Sequence, residues 1–263
     1  MSDPAGRGLE TRSLTVRYGG LVANSEVSIS VRPGQVVGLI GPNGAGKTTF
    51  VDAVTGFTRC EGEILLDGVR IDALAPHLRR GSGLSRTWQS GELFGNLSVA
   101  ENLLAAARKS GWATVVRDLF GRRRAGAGRD VVDSALAVVG LEDVADTLAR
   151  DLTLGQQKLV GVARALAGGC EVLLLDEPAA GLDSMESQAF AARVRSIAEG
   201  NGSGQGPGIL LIDHDMSLVL GVCDVVNVLE FGKLIFSGTP AEARTDPTVV
   251  AAYLGAPVEA SHA

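Results

Sequence analysis

Gly41-Pro42-Asn43-Gly44-Ala45-Gly46-Lys47-Thr48-Thr49 follows directly on the apolar run Val36–Ile40 and leads into Lys47–Val54, which reads as a helix. That order of strand, glycine loop and helix decides the fold. It bends successive backbone N–H groups into a nest for phosphates at the positive end of a helix. Gly41, Gly44 and Gly46 let the backbone come close to phosphate oxygens. Lys47 is placed to reach the β- and γ-phosphates, and the Thr48 hydroxyl to ligate magnesium. A triphosphate brings its own charge, so such a site supplies donors and a metal rather than a protein nucleophile.

Working outward, Val172–Leu175 and Ile209–Ile212 are short apolar strands of the kind buried in a parallel sheet, with the polar-faced helix Met185–Ala198 between them. Each strand ends at a chemical group. Asp176 closes the first, where a carboxylate can hold a metal through water. Glu177, one residue on, can face an attacking water as general base. His214 follows the second strand, at the carboxyl end where ligands collect in open α/β sheets.

Leu9–Arg17 and Glu26–Val31 read as early strands, and Glu63–Leu66 with Asp67-Gly68 as one arm of a hairpin. From about Ser98 to Gly168 the periodicity becomes helical. Ser98-Val99-Ala100-Glu101 is a capping box opening Asn102–Lys109, Asp130–Val139 keeps helical spacing until Gly140, and Gln157–Ala167 is a further helix. Gly111–Arg129, with Arg122-Arg123-Arg124, reads as an exposed loop, contact with lipid headgroups being the lesser alternative. Glu199–Gly208 reads as a glycine-rich linker, Val225–Leu229 and Lys233–Phe236 as a closing strand pair, Pro240–Leu254 as two short helices, and Glu259–Ala263 as a frayed end.

With 263 residues, 45% of them hydrophobic and 4% aromatic, the chain can bury one substantial core of the aliphatic α/β type. A net charge of -6 gives no basic footprint, so no nucleic-acid partner is expected. Cys60, Cys170 and Cys223 lack metal-ligand spacing and read as buried small hydrophobes in a reducing compartment. No apolar run is long enough to cross a bilayer and Met1–Arg12 has no signal-like core, so a cytoplasmic chain is expected whose membrane role needs a separate partner.

After the glycine loop come Leu152-Thr153-Leu154-Gly155-Gln156-Gln157, Leu173-Leu174-Leu175-Asp176-Glu177 and Asp213-His214-Asp215. The four motifs in this order resemble the nucleotide-binding subunit of an ATP-binding-cassette (ABC) transporter, over nearly the whole chain. The resemblance implies an α/β P-loop NTPase (RecA-like) core with an antiparallel β subdomain and an inserted helical subdomain at about 90–165, as one ATP-binding domain over 1–263. It implies ATP hydrolysis with Mg2+, with Gly41, Pro42, Asn43, Gly44, Ala45, Gly46, Lys47, Thr48 and Thr49 around the phosphates. It further places Tyr18 under adenine, Thr48, Gln89 and Asp176 on the metal, Glu177 as base and His214 as the sensor of the γ-phosphate. Thr153, Gly155 and Gln156 would serve the ATP held by a second subunit, identical or different, and Asp183 would couple the two sites. The motif departs from the usual Leu-Ser-Gly-Gly-Gln. Thr153 keeps the hydroxyl, whereas Leu154 replaces the first glycine.

The implied partners are integral-membrane permease subunits, a second ATPase subunit and, indirectly, an extracytoplasmic substrate-binding protein, at the cytoplasmic face of the membrane. Leu93 and Phe94, apolar in a glycine-rich and polar stretch, are expected on a groove for a permease helix. Within the family, Arg86-Thr87-Trp88-Gln89, Glu177-Pro178-Ala179-Ala180-Gly181-Leu182, His214-Asp215-Met216-Ser217-Leu218-Val219 and Ala252-Tyr253-Leu254-Gly255 look most like the ATPases of branched-chain amino acid importers. ATPases for urea or amide import, or for lipopolysaccharide export, are the alternatives. A soluble ABC ATPase of DNA repair or translation is the other class, but the chain has neither a long inserted coiled coil nor a second cassette. Intact Lys47, Glu177 and His214 argue against a non-catalytic regulatory cassette.

Overall fold

The computed structural model describes residues 7–87, 93–107, 126–200 and 205–254. Among them the strands are β1 (Leu9–Tyr18), β2 (Leu21–Val27), β3 (Ser30–Val31), β4 (Val36–Ile40), β5 (Glu61–Leu66), β6 (Val69–Arg70), β7 (Leu84–Thr87), β8 (Val172–Asp176), β9 (Gly208–Ile212), β10 (Val225–Glu230) and β11 (Lys233–Gly238). The helices are α1 (Lys47–Thr55), α2 (Pro76–Gly81), α3 (Val99–Ala107), α4 (Gly126–Val139), α5 (Leu154–Ala167), α6 (Ser184–Glu199), α7 (Met216–Val222), α8 (Pro240–Thr245) and α9 (Pro247–Leu254). No helix among the described residues is long and apolar enough to cross a membrane.

One sheet runs β11-β10-β4-β9-β8-β7, parallel throughout except for the β10–β11 hairpin at its edge. Its central strands β4, β9 and β8 are apolar along their buried length, up to Asp176 at the end of β8, because both faces are covered. Val37, Leu39, Leu174, Leu210 and Ile212 pack with Phe50, Val51 and Val54 of α1 and with the second sheet. Their neighbours Val36, Ile40, Leu173, Leu175, Ile209 and Leu211 pack on the opposite face, with Phe190, Val194 and Ile197 of α6. Strand alternation therefore puts Asp176, two residues after Leu174, on the α1 side.

The second sheet, β2-β1-β5-β6 with β3 also on β1, is antiparallel. Here the expected strand Glu26–Val31 is replaced by two. Gly19 and Gly20 turn β1 back on β2, and the chain is bulged at Ser13 and Glu26, which take positive φ of 49° and 53°. β1 can thus pair with β5 and β3 in its first half and with β2 in its second. Asp67 and Gly68, both at positive φ, close the β5–β6 hairpin as their dipeptide predicts.

In the helical lobe, Val99 and Leu103 of α3, Val132, Leu136 and Val139 of α4 and Val160 and Ala163 of α5 share one core. Ser98 and Glu101 form the expected reciprocal cap of α3. The helix α4 starts at Gly126, inside the stretch expected as loop. Arg122-Arg123-Arg124, most of that loop, part of the 199–208 linker and the 259–263 end expected to fray lie outside the described residues. Of the cysteines only Cys223 is fully buried, its thiol pushed up to about 12 by that burial, while Cys60 and Cys170 are half-buried.

Arg79 is a clamp that no local pattern announces. It is buried, its Nη1 donates to the carbonyls of Ala53 and Val54 at 2.8 and 2.7 Å, Nη2 to Asp72 at 2.6 Å and Nε to Leu74 at 2.9 Å. Two of these carbonyls belong to the last turn of α1, where intrahelical donors run out; that of Ala53 also accepts from the Gly56 N–H at 3.2 Å. Arg79→Ala is expected to lower unfolding free energy by about 2–4 kcal/mol, read by urea denaturation. An unchanged midpoint would show that water replaces the guanidinium without loss.

Candidate nucleotide site

The helix α1 has no side-chain N-cap; its cap is Gly46, at φ 100°. Its first-turn N–H groups are thereby left for an anion at the positive end of the helix dipole. Gly46 is fixed by space as well as conformation, since a Cβ there would sit 2.6 Å from the Ala23 carbonyl and 2.7 Å from Asn24 Nδ2. A Cβ at Gly41 would fall 2.2 Å from the Leu229 carbonyl. Asn24, fully buried, donates to the Gly46 carbonyl at 3.2 Å, and the Gly232 N–H donates to the Ala45 carbonyl at 2.9 Å. The loop is held from behind by β2 and by the β10–β11 turn, leaving Asn43, Gly44 and Thr48 facing solvent.

Lys47 folds back into this loop, its Nζ donating to the Gly41 carbonyl at 2.6 Å and the Pro42 carbonyl at 3.1 Å. Burial holds its pKa below the usual lysine value, opposed by the negative charges of Glu177, Asp176 and Asp213 in that order. The ends of β8 and β9 thus bring three carboxylates to bear on one ammonium. Asp176 is 12% exposed and paired with Arg86. Glu177 leaves the strand through a left-handed residue, φ 45°, with its N–H donating to the Ile212 carbonyl at 2.8 Å. Strained non-glycine backbone of this kind costs about 1–3 kcal/mol and persists where a side chain must be aimed.

His214 is exposed, and Asp213 beside it is buried. Asp213 Oδ1 accepts from the N–H groups of His214 and Asp215, at 2.8 and 3.0 Å, which shapes the turn carrying the imidazole. Its Oδ2 is buried with no hydrogen-bond partner among the described residues. Tyr18, at the end of β1, is 52% exposed, its hydroxyl 3.3 Å from Thr58 Oγ1, so its ring is not a core element. Gln89 and Trp88 lie outside the described residues.

Thr153 and Gln156 are not joined to this cluster. Thr153 caps α5, its hydroxyl accepting from the Gln156 N–H at 3.3 Å while Gln156 Oε1 accepts from the Thr153 N–H at 3.0 Å. The helix therefore begins at Leu154, three residues before the expected start, and Thr153-x-x-Gln156 is the capping signal that gives it away. Asp183 likewise caps α6 in a box with Glu186. Leu154 is half-exposed and its Cδ2 lies 3.1 Å from where a Cβ on Gly181 would be, so it packs on the loop between Glu177 and Asp183.

Four contributors are given no site role by the sequence: Asn24 and Asp52, which stand in no motif, and Arg86 and Tyr253, which stand in family-like stretches. The Tyr253 hydroxyl of α9 is buried near the Gly41 backbone without closing a hydrogen bond to it, and burial raises its pKa to about 12. The C-terminal helix thus abuts the phosphate loop. Farther out, a cavity of about 440 Å³ opens between α2, β7 and α5, lined among others by Phe57, Arg80, Leu93 and Arg164. Phe94 is 54% exposed with the Arg164 guanidinium 5.5 Å over its ring, and its backbone is pinned on both sides by buried Asn102.

Residues 24–180 match the ABC transporter family model, and residues 233–259 match that of the branched-chain amino acid ATP-binding cassette transporter. The high-affinity branched-chain amino acid transport ATP-binding protein BraF of Pseudomonas aeruginosa is 37% identical over 252 residues, 94% of this chain and 97% of BraF. The lipopolysaccharide export system ATP-binding protein LptB of Haemophilus influenzae is 33% identical over 94% of this chain and 97% of its own length. The crystal structure of the ADP conformation of MJ1267, an ATP-binding cassette of an ABC transporter, superposes with a TM-score of 0.80 at 28% identity, covering 94% of this chain and 98% of that one. A phosphate nest facing acids from two neighbouring parallel strands, matched in sequence and fold along almost its whole length, means that this chain belongs to the ABC transporter ATPases, which couple ATP hydrolysis to transport.

Proposed function

We propose that this chain is the ATPase subunit of a branched-chain amino acid importer, one ATP-binding domain over 1–263 with its helical lobe at about 90–165. The observation that carries the reading is the C-terminal match at 233–259, in a segment whose Tyr253 lies against the phosphate loop. The likeness to LptB keeps lipopolysaccharide export as the second reading.

In this reading Lys47 and the 41–49 loop hold the phosphates of ATP, Tyr18 stacks on adenine, Glu177 orients and deprotonates water, and His214 contacts the γ-phosphate. Thr48, Asp176 and Gln89 hold Mg2+, which when bound neutralises charge on the β- and γ-phosphates. The donor set fits that ion. The exposed Thr48 hydroxyl and the strand-end carboxylate of Asp176 are hard oxygen ligands of the kind Mg2+ takes, and would hold it together with oxygens of the nucleotide and water. Thr153, Gly155 and Gln156, at the start of α5 with Thr153 and Gln156 bonded to each other, serve the ATP of a second subunit, and Asp183 couples the two sites. The chain works at the cytoplasmic face of the membrane, bound to permease subunits, with a substrate-binding protein acting from the other side.

Reconstitution with its permease in liposomes tests the reading. ATP hydrolysis should rise with binding protein loaded with leucine, isoleucine or valine, and labelled leucine should accumulate. Stimulation by a lipid or amide instead would remove the amino-acid assignment. Phe94→Asp should abolish co-purification with the permease and leave basal hydrolysis of the isolated subunit near parental, because its side chain is exposed. Retained co-purification would place the docking surface elsewhere.

A further inference from the structure

Arg86 lies on β7 at the edge of the larger sheet, with its side chain only 6% exposed. Its Nη1 donates to Asp52 Oδ1 at 2.5 Å and its Nη2 to Asp176 Oδ2 at 2.6 Å. Asp52 is on α1, the helix that begins at Lys47, and Asp176 ends β8 on the face that α1 covers. One guanidinium thus ties the helix behind the phosphate loop to the strand-end carboxylate. The two carboxylates take different nitrogens of a rigid planar fork, a geometry that a lysine ammonium does not reproduce.

Holding Oδ2 fixes the Asp176 side chain and leaves Oδ1 without a hydrogen-bond partner among the described residues. We infer that Arg86 is a positioning residue for the metal half of the site: braced by Asp52, it holds one oxygen of Asp176 so that the other is free for metal-bound water. The inference rests on the reading of Asp176 as the carboxylate that holds Mg2+. Groups that orient a metal's carboxylate from behind typically change metal affinity about 10–100-fold when removed. A neighbouring cation also weakens a carboxylate's pull on a metal. The sign of the effect therefore separates the two: positioning makes metal binding weaker without Arg86, simple repulsion makes it tighter.

The test uses the full chain and Mn2+ as probe. Mn2+ affinity in the presence of a non-hydrolysable ATP analogue is measured by electron paramagnetic resonance, and analogue binding is measured separately in EDTA. Arg86→Met should weaken Mn2+ binding about 10-fold while analogue binding in EDTA stays parental, and Arg86→Lys, which can reach one carboxylate, should fall between. Parental or tighter Mn2+ binding in Arg86→Met overturns the inference. So does an equal loss of analogue binding in EDTA, which marks a purely structural ion pair. Asp176→Asn is the control for the underlying reading: if it binds Mn2+ like the parent, Asp176 is not the metal's carboxylate, whereas its loss beside an unaffected Arg86→Met sinks the Arg86 step alone. Should Arg86→Met not fold, Arg86→Lys and Asp52→Asn carry the test, and parental Mn2+ affinity in both overturns it.

Discussion

Glu177→Gln is expected to bind ATP as the parent does and to hydrolyse it on the order of 10²-fold more slowly, or worse, since removing a general base commonly has that effect. The amide is nearly isosteric with the carboxylate, and the local backbone is set by groups the substitution leaves alone. The Glu177 N–H donates to Ile212 and its carbonyl accepts from the Ala180 N–H at 3.2 Å. The left-handed φ of 45° is held by those bonds, so the side chain keeps its aim while losing its basicity. Single-turnover hydrolysis beside equilibrium ATP binding separates the two quantities. Parental turnover would remove Glu177 from the role of base and leave His214 or the substrate itself to take the proton.

Lys47→Ala is expected to weaken ATP binding by about 10²-fold or more, the range seen when one member of a buried charge pair is truncated. Lys47 Nζ is already drawn into the loop by the Gly41 and Pro42 carbonyls, and Glu177, Asp176 and Asp213 act on it from the strand ends. Removing the ammonium leaves those three acids facing an incoming triphosphate with less positive charge beside them, the Arg86 guanidinium being already engaged by Asp52 and Asp176, so repulsion adds to the lost contact. Titration with a fluorescent ATP analogue, with a thermal melt as control, reads the effect. Unchanged affinity in a folded variant would mean that backbone N–H groups alone hold the phosphates. The contrast with Glu177→Gln is diagnostic, one variant losing binding and the other chemistry.

The parts of this molecule legible in advance share one property, a short span. The phosphate loop needs nine consecutive residues flanked by a strand and a helix, and the run Val36–Thr55 supplies all of it. The strands β8 and β9 show themselves because burial on both faces leaves no polar position before Asp176 in the first and none in the second. The start of α5, at Leu154 rather than the expected Gln157, is legible in the Thr153-x-x-Gln156 capping box, a signal equally short in span. The strand β2 begins at Leu21 rather than at the expected Glu26, since bulges at Ser13 and Glu26 interrupt the alternation on which strand reading depends.

What the sequence determines by itself is the kind of chemistry: a nest for phosphates, a lysine, acids at two strand ends, a histidine, and a helical lobe that carries Thr153-Leu154-Gly155-Gln156. Each follows from residue type and local spacing, which fix backbone direction within a few residues. Only the tertiary structure decides how those groups are braced. Arg79 meets Ala53 across 26 residues, Arg86 meets Asp52 across 34 and Asp176 across 90, and Asn24 meets Gly46 across 22. Such pairs leave no periodicity, because a long polar side chain reaches whichever strand or helix the topology places beside it. The order β4-β9-β8-β7, in which strands distant in sequence become neighbours, sets Arg86 beside Asp176 and brings three carboxylates to bear on Lys47.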